Sequence, residues 1–113
     1  MFDYHATLAK VIDGDTMDVI ADLGFHVNIG LRLRIKGINA PETSTVAGVA
    51  AREWARSILP LGAFLTIATE KDPGDKYGRW LAKVTLPDGS DYATTAIDTG
   101  HAVAWDGTGA RPS

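Results

Sequence analysis

Residues 25–36 read FHVNIGLRLRIK, and within them Leu31, Leu33 and Ile35 alternate with Arg32, Arg34 and Lys36. A strand turns successive side chains to opposite faces, so this period of two sends the apolar set into a core and the basic set to the other side. Arg34 is therefore expected to point away from the core. Upstream, YHATLAKVI (4–12) and TMDVIADL (16–23) are two more strand candidates, separated by the turn-forming DGD (13–15) and DLG (22–24). Connections this short favour antiparallel neighbours, and the pair Asp13-Gly14 is a strong hairpin signal because glycine accepts the positive φ such a turn asks for. Three strands in meander order follow.

After GINAPETS (37–44) the period changes. In AGVAAREWARSIL (47–59), Ala50, Trp54 and Ile58 recur every fourth residue, which predicts an amphipathic helix. Thr43, Ser44 or Thr45 is suited to cap its start, and Pro60 with Gly62 ends it. AFLTIAT (63–69) and RWLAKVTL (79–86) are a fourth and a fifth strand, the latter followed by the turn PDG. YATTAIDT (92–99) is a short helix closing on Gly100. Residues 106–113, DGTGARPS, read as a flexible tail. The expected fold is mainly β with helices: a five-stranded barrel of the oligonucleotide- and oligosaccharide-binding type, one helix between strands 3 and 4 and a short helix after strand 5. Strand count alone fits an SH3-like barrel as well.

With 113 residues and 45% hydrophobic content the chain reads as one domain, 1–113, with a single core. It has no cysteine, and His5, His26 and His101 are too scattered for a zinc motif. MFDYHATLAK lacks a basic leader followed by an apolar stretch, and no segment is long and apolar enough to span a membrane, so a cytoplasmic location is expected. A processed, secreted form would read the same. Eleven basic against 14 acidic residues leave a net charge of −3, which disfavours tight non-specific gripping of nucleic acid. A few arginines among carboxylates, offset by a divalent cation, stay compatible with that balance.

Three stretches taken together, VIDGDT (11–16), LRLRIKGINAPET (31–43) and DKYGRWLAKV (75–84), resemble the staphylococcal nuclease (thermonuclease) family in order, residue type and spacing, with the likeness running from about Ala6 to Ala104. The resemblance implies a calcium-dependent nuclease acting on DNA and RNA, preferentially single-stranded, that leaves 3′-phosphate ends. It implies one calcium ion on Asp15, Asn39 and the backbone carbonyl of Ala40, with Asp13 in the ion's outer surroundings. Arg34, Glu42 and Arg79 fall on the family's catalytic positions, and Lys76 and Tyr77 where the family contacts a terminal phosphate. No obligate protein partner is implied.

These residue types suit phosphodiester hydrolysis in their own right. Glu42 is able to orient and deprotonate water as general base. Arg34 and Arg79 offer planar forks that match phosphate oxygens in pairs, which a lysine does not reproduce. Calcium is a hard cation that takes oxygen ligands. Each residue also has a plainer reading. Arg34 suits a solvated strand face, Glu42 the acid-favouring start of a helix, Arg79 an edge-strand charge, and Lys76 and Tyr77 a turn. Trp54 reads as core, while Trp80 and Trp105 suit base stacking if exposed.

The chain departs from the family pattern in three places. Asn39 stands where the family usually carries a second calcium-binding aspartate, and calcium affinity depends on ligand charge count, so weaker metal binding is expected. The loop TSTVAGVA (43–50) is short and uncharged, which lowers expected substrate affinity. The family's terminal helix and its two nucleotide-stacking tyrosines have no counterparts, the aligned stretch being WDGTGA. A second reading, from a different functional class, is therefore a barrel of the same kind that binds nucleic acid with weak or no catalysis.

Overall fold

A computed structural model describes residues 2–71 and 80–105. The elements in order are β1 (Phe2–Asp13), β2 (Thr16–Asp22), β3 (Asn28–Ile35), β4 (Ile38–Asn39), α1 (Val46–Ile58), β5 (Phe64–Lys71), β6 (Trp80–Thr85), α2 (Tyr92–Asp98) and β7 (Val103–Ala104). The five long strands close into a barrel in the order β1-β2-β3-β6-β5. Neighbours pair antiparallel except β3 and β6, whose parallel register sets Arg34 opposite Leu81. A parallel pair needs a crossover, and α1 with β5 supplies it. The expected five-stranded barrel is the observed one. Residues 106–113, read as a tail, lie outside the described residues.

β1 serves two neighbours because it is long and kinked. Phe2 to Thr7 pair with β5 and His5 to Asp13 with β2, with register shifts between Leu8 and Lys10 and between Val11 and Asp13. Such bulges bend a strand and increase its twist, which is how a small sheet closes on itself. Met17, Val19, Leu33, Ile35, Ile38, Ile67 and Val84 fill the interior and are fully buried. Each contributes roughly 1.5–3 kcal/mol relative to an exposed side chain.

Four details differ from the sequence reading. The third strand starts at Asn28 rather than at Phe25, because Leu23 and Val27 exchange a turn bond (Leu23 N to Val27 O, 2.9 Å) around Phe25 and His26, both left-handed with φ 54° and 61°. Helix α1 buries Gly48, Ala51 and Ala55, and Ala50 is exposed. The small residues let the helix approach the barrel closely, and Trp54 and Ile58 pack on the core from its flank. Ile38–Asn39 and Val103–Ala104 form a second, two-stranded sheet that sequence reading did not anticipate. Finally, the alternation holds for Arg32 and Lys36, which are exposed, but Arg34 is only 7% exposed. Its guanidinium packs against the ring of Trp105, from the other end of the chain.

Candidate active site

The turn at 13–15 is built by β1 ending and β2 beginning two residues apart. The Asp15 backbone N–H donates to Asp13 Oδ1 at 3.0 Å, and the Asp15 carbonyl accepts from Ile35 N at 2.8 Å. The Asp15 carboxylate, 5% exposed, accepts from Thr16 Oγ1 (3.2 Å) through one oxygen and from Ala40 N (3.0 Å) through the other. One carboxylate thus ties the β1–β2 turn to the segment after β4. Gly14 is not among the glycines with positive φ, so the turn does not need it for that reason. It is required for space: a Cβ there would lie 2.7 Å from the Ala40 Cβ and 3.2 Å from the Ala51 Cβ. The Gly14 carbonyl accepts a 2.7 Å bond from the buried Tyr92 hydroxyl on α2.

Glu42 sits three residues before the helix cap. The cap is Thr45, whose Oγ1 accepts from Gly48 N at 3.0 Å and donates to the Glu42 carbonyl at 2.7 Å, while Thr45 N donates to the same carbonyl at 3.0 Å. Glu42 is therefore outside the first helical turn, which contains no acid. Gly48 makes this seating possible: a Cβ on it would fall 1.7 Å from the Glu42 carbonyl oxygen. The Glu42 side chain is exposed to solvent. Asp13, Asp15, Thr16 and the segment Ala40–Ser44, Glu42 included, line one cleft of about 360 Å³.

Arg34 is the cross-strand partner of Thr16, and directly opposed residues of an antiparallel pair share a face, so Arg34 stands beside this cleft. Its guanidinium carbon lies 4.8 Å from the centroid of the Trp105 ring. Its Nη2 is buried and has no hydrogen-bond partner among the described residues. Asn39, buried on β4, precedes Ala40 directly. Lys76, Tyr77 and Arg79 lie outside the described residues.

The electrostatics of the turn favour a cation. Burial, then the hydrogen bond and negative charge of Asp15, push the Asp13 carboxyl up from 3.8 to about 6. Burial, then Asp15 and Asp13, raise the Tyr92 phenol well above its ordinary value, which keeps it a donor. Among the described residues no three His, Cys, Asp or Glu side chains group closely enough to hold a metal ion. A calcium ion is chemically compatible with the carboxylates and Ala40 that line the cleft, one carboxylate being made costly to ionise by burial and then by the other, whereas Asn39 is buried on β4 and is not among the lining residues. Their oxygens are the hard donors that calcium takes, at a lower charge count than a three-carboxylate site.

Three features of the site escaped the sequence reading. Gly48 was legible only as an isolated glycine inside a helical pattern, which hints at a packing reason. Nothing in the sequence marks Tyr92 as the residue that holds the turn. Trp105 was considered for base stacking rather than as a cover for Arg34.

Comparison with known proteins bears on the same segments. The family model described as staphylococcal nuclease homologue matches residues 32–111, more than half of the chain. An uncharacterized endonuclease of Escherichia coli O157:H7 is 28% identical over 104 residues, covering 92% of this chain and 63% of its own length. Endonuclease YhcR of Bacillus subtilis is 24% identical over 112 residues, covering 88% of this chain and 9% of its own. The succinoglycan biosynthesis protein ExoI of Rhizobium meliloti is 31% identical over 106 residues, covering 87% of this chain and 51% of its own. The chain thus spans less than two thirds of the length of these relatives. With the barrel closed as expected and the family pattern running from β3 past β7, the chain belongs to the staphylococcal nuclease homologue family.

Proposed function

We propose that this domain hydrolyses phosphodiester bonds of DNA and RNA in a calcium-dependent, endonucleolytic reaction that leaves 3′-phosphate ends. The observation that carries the reading is that Asp13 and Asp15 of one turn and the sequence-distant Glu42 line one cleft with the buried fork of Arg34 alongside. Family membership and two relatives that carry the name endonuclease support it.

In this reading Glu42 takes a proton from a water molecule whose oxygen attacks phosphorus. The bond from phosphorus to the 5′-oxygen breaks, and that alkoxide is protonated as it leaves. Arg34 and Arg79 neutralise charge growing on the phosphoryl oxygens, with electrostatic stabilisation the largest part of the rate gain. Lys76 and Tyr77 contact the neighbouring phosphate. Asp15, the Asn39 amide oxygen and the Ala40 carbonyl would hold calcium, with Asp13 in its outer surroundings. When bound, calcium contributes Lewis-acid charge at the scissile phosphate. A preference for single-stranded or frayed substrate is part of this reading on the strength of family membership.

The test is incubation of the pure domain with denatured DNA and calcium, with and without chelator, beside Glu42→Ala. Cleavage is expected to need the metal and to fall by roughly 100-fold or more without the base. Cleavage indifferent to chelator, or equal in the variant, overturns the mechanism. Asn39, together with the lack of a three-acid group among the described residues, favours one second reading, a nucleic-acid-binding module without catalysis. Calcium-dependent affinity with no cleavage is its signature.

A further inference from the structure

We infer that Trp105 is a positioning residue for Arg34, holding the guanidinium by its flat face so that the in-plane N–H donors stay available for a phosphate. The inference rests on the reading of Arg34 as a phosphate-binding group given above.

Three observations converge on it. The first is the contact itself, with the Arg34 guanidinium carbon 4.8 Å from the indole centroid, within the range of a cation–π interaction. The second is that Arg34 is 7% exposed and Nη2 is buried with no hydrogen-bond partner among the described residues. A buried guanidinium is ordinarily fixed by a carboxylate, which occupies its donors and cancels its charge. Among the described residues the four ion pairs involve Arg32, Lys36, Arg52 and Arg56, and not Arg34. An aromatic face restrains the cation without consuming a single N–H. The third is that the backbone carrying the indole is anchored independently of the arginine. Trp105 N donates to the Gly37 carbonyl at 2.9 Å, and β7 pairs with β4 through Ile38 with Ala104 and Asn39 with Val103.

The geometry also separates this role from base stacking. A base platform presents its ring to the substrate, whereas one side of this indole is already taken by Arg34. Loss of a base platform weakens binding to a nucleic acid and leaves a substrate without bases unaffected. Loss of a support for Arg34 slows turnover of any phosphodiester.

The experiment compares the parent domain with Trp105→Leu, Trp105→Phe and Arg34→Ala on two substrates, denatured DNA and bis(p-nitrophenyl) phosphate, a phosphodiester with no nucleobase. Trp105→Leu is expected to lower kcat roughly tenfold on both, the scale of a desolvated cation–π contact, with KM on DNA changed less than about threefold. Trp105→Phe keeps a ring and is expected to recover most of that loss. The Arg34 Nε–H resonance, identified by its absence in Arg34→Ala, is expected to move downfield when the ring is removed in Trp105→Leu. If that variant does not fold by circular dichroism, Trp105→Phe and Trp105→Tyr carry the same test as a graded loss following ring strength. A KM rise confined to DNA, or an unshifted Arg34 resonance, overturns the proposal while leaving the nuclease reading standing. Arg34→Ala as active as the parent overturns the reading of Arg34 and the proposal with it.

Discussion

The hydroxyl of Tyr92 donates to the carbonyl of Gly14 at 2.7 Å, a bond between residues 78 apart that fastens α2 to the carboxylate-bearing turn. Tyr92 is 0% exposed, so the carbonyl has no water to fall back on. Tyr92→Phe keeps the packing and strands that acceptor, which costs about 1–3 kcal/mol. For a domain of this size each kcal/mol moves the melting temperature by roughly 4–8 °C. Thermal melts are expected to show that loss, and calcium titrations a weaker metal affinity, because the turn bearing Asp15 is less firmly held.

Gly48 is predicted to be irreplaceable for a reason unrelated to helix propensity. Alanine is ordinarily the better helix residue by about 1 kcal/mol. Here its Cβ would overlap the backbone of Glu42 and Thr43, neither of which has a flexible end to move aside. Gly48→Ala is expected to displace the Glu42 segment and lower kcat at least tenfold in the cleavage assay. Exposed Gly30, which has no positive φ and open space where a Cβ would stand, makes the control.

Asp13 gives the metal-free protein a defined pH dependence. Its folded value of about 6 stands above the ordinary 3.8, so the folded state binds the proton more tightly than the unfolded chain. Stability from this group is therefore full below 3.8 and is lost as pH rises towards 6. Asp13→Asn retains an acceptor for Asp15 N and removes the ionisation. In chelator it is expected to be more stable than the parent at pH ~7.5 by on the order of 1 kcal/mol, after discounting for partial exposure, with no difference at pH ~3.5. Denaturant midpoints of both proteins across that range check the sign.

The β2–β3 turn carries local strain that substitution relieves. Phe25 (φ 54°) and His26 (φ 61°) occupy the left-handed region, and Phe25 is 99% exposed, so packing does not compensate. A left-handed conformation costs a side-chain-bearing residue about 1–2 kcal/mol, and Asn-Gly is the pair such hairpin turns prefer. Phe25→Asn with His26→Gly is expected to raise the melting temperature by several degrees and leave cleavage unchanged. A fall in melting temperature would show that the exposed ring contributes to the fold.

Much of this architecture was legible because it is periodic. The alternation of Leu31, Leu33 and Ile35 with Arg32, Arg34 and Lys36 and the turns between successive strands were enough for the barrel, since a period of two has few other solutions. Two-residue strands carry no period, so the β4–β7 sheet was invisible. The helix face was misjudged because Ala50, Ala51 and Ala55 are equally apolar, and which of them is buried depends on how the helix docks. The cleft carboxylates were singled out by the resemblance, which three motifs carry in their order, residue types and spacing. The burial of Arg34 was beyond reach, since the ring it stacks against, Trp105, comes just after β7 at the far end of the chain. Lys76, Tyr77 and Arg79, suggested by the third motif, fall outside the described residues.

The parallel pairing of β3 with β6 has a consequence for biosynthesis. A ribosome releases the meander of β1, β2 and β3 first, and that hairpin pair is able to form from neighbouring contacts alone. The two acids of its first turn then wait, exposed, until more than half of the chain has followed and α2 has delivered the phenol that locks them. Assembly of the carboxylate-bearing turn is thus completed by the docking of α2 rather than by closure of the first hairpin.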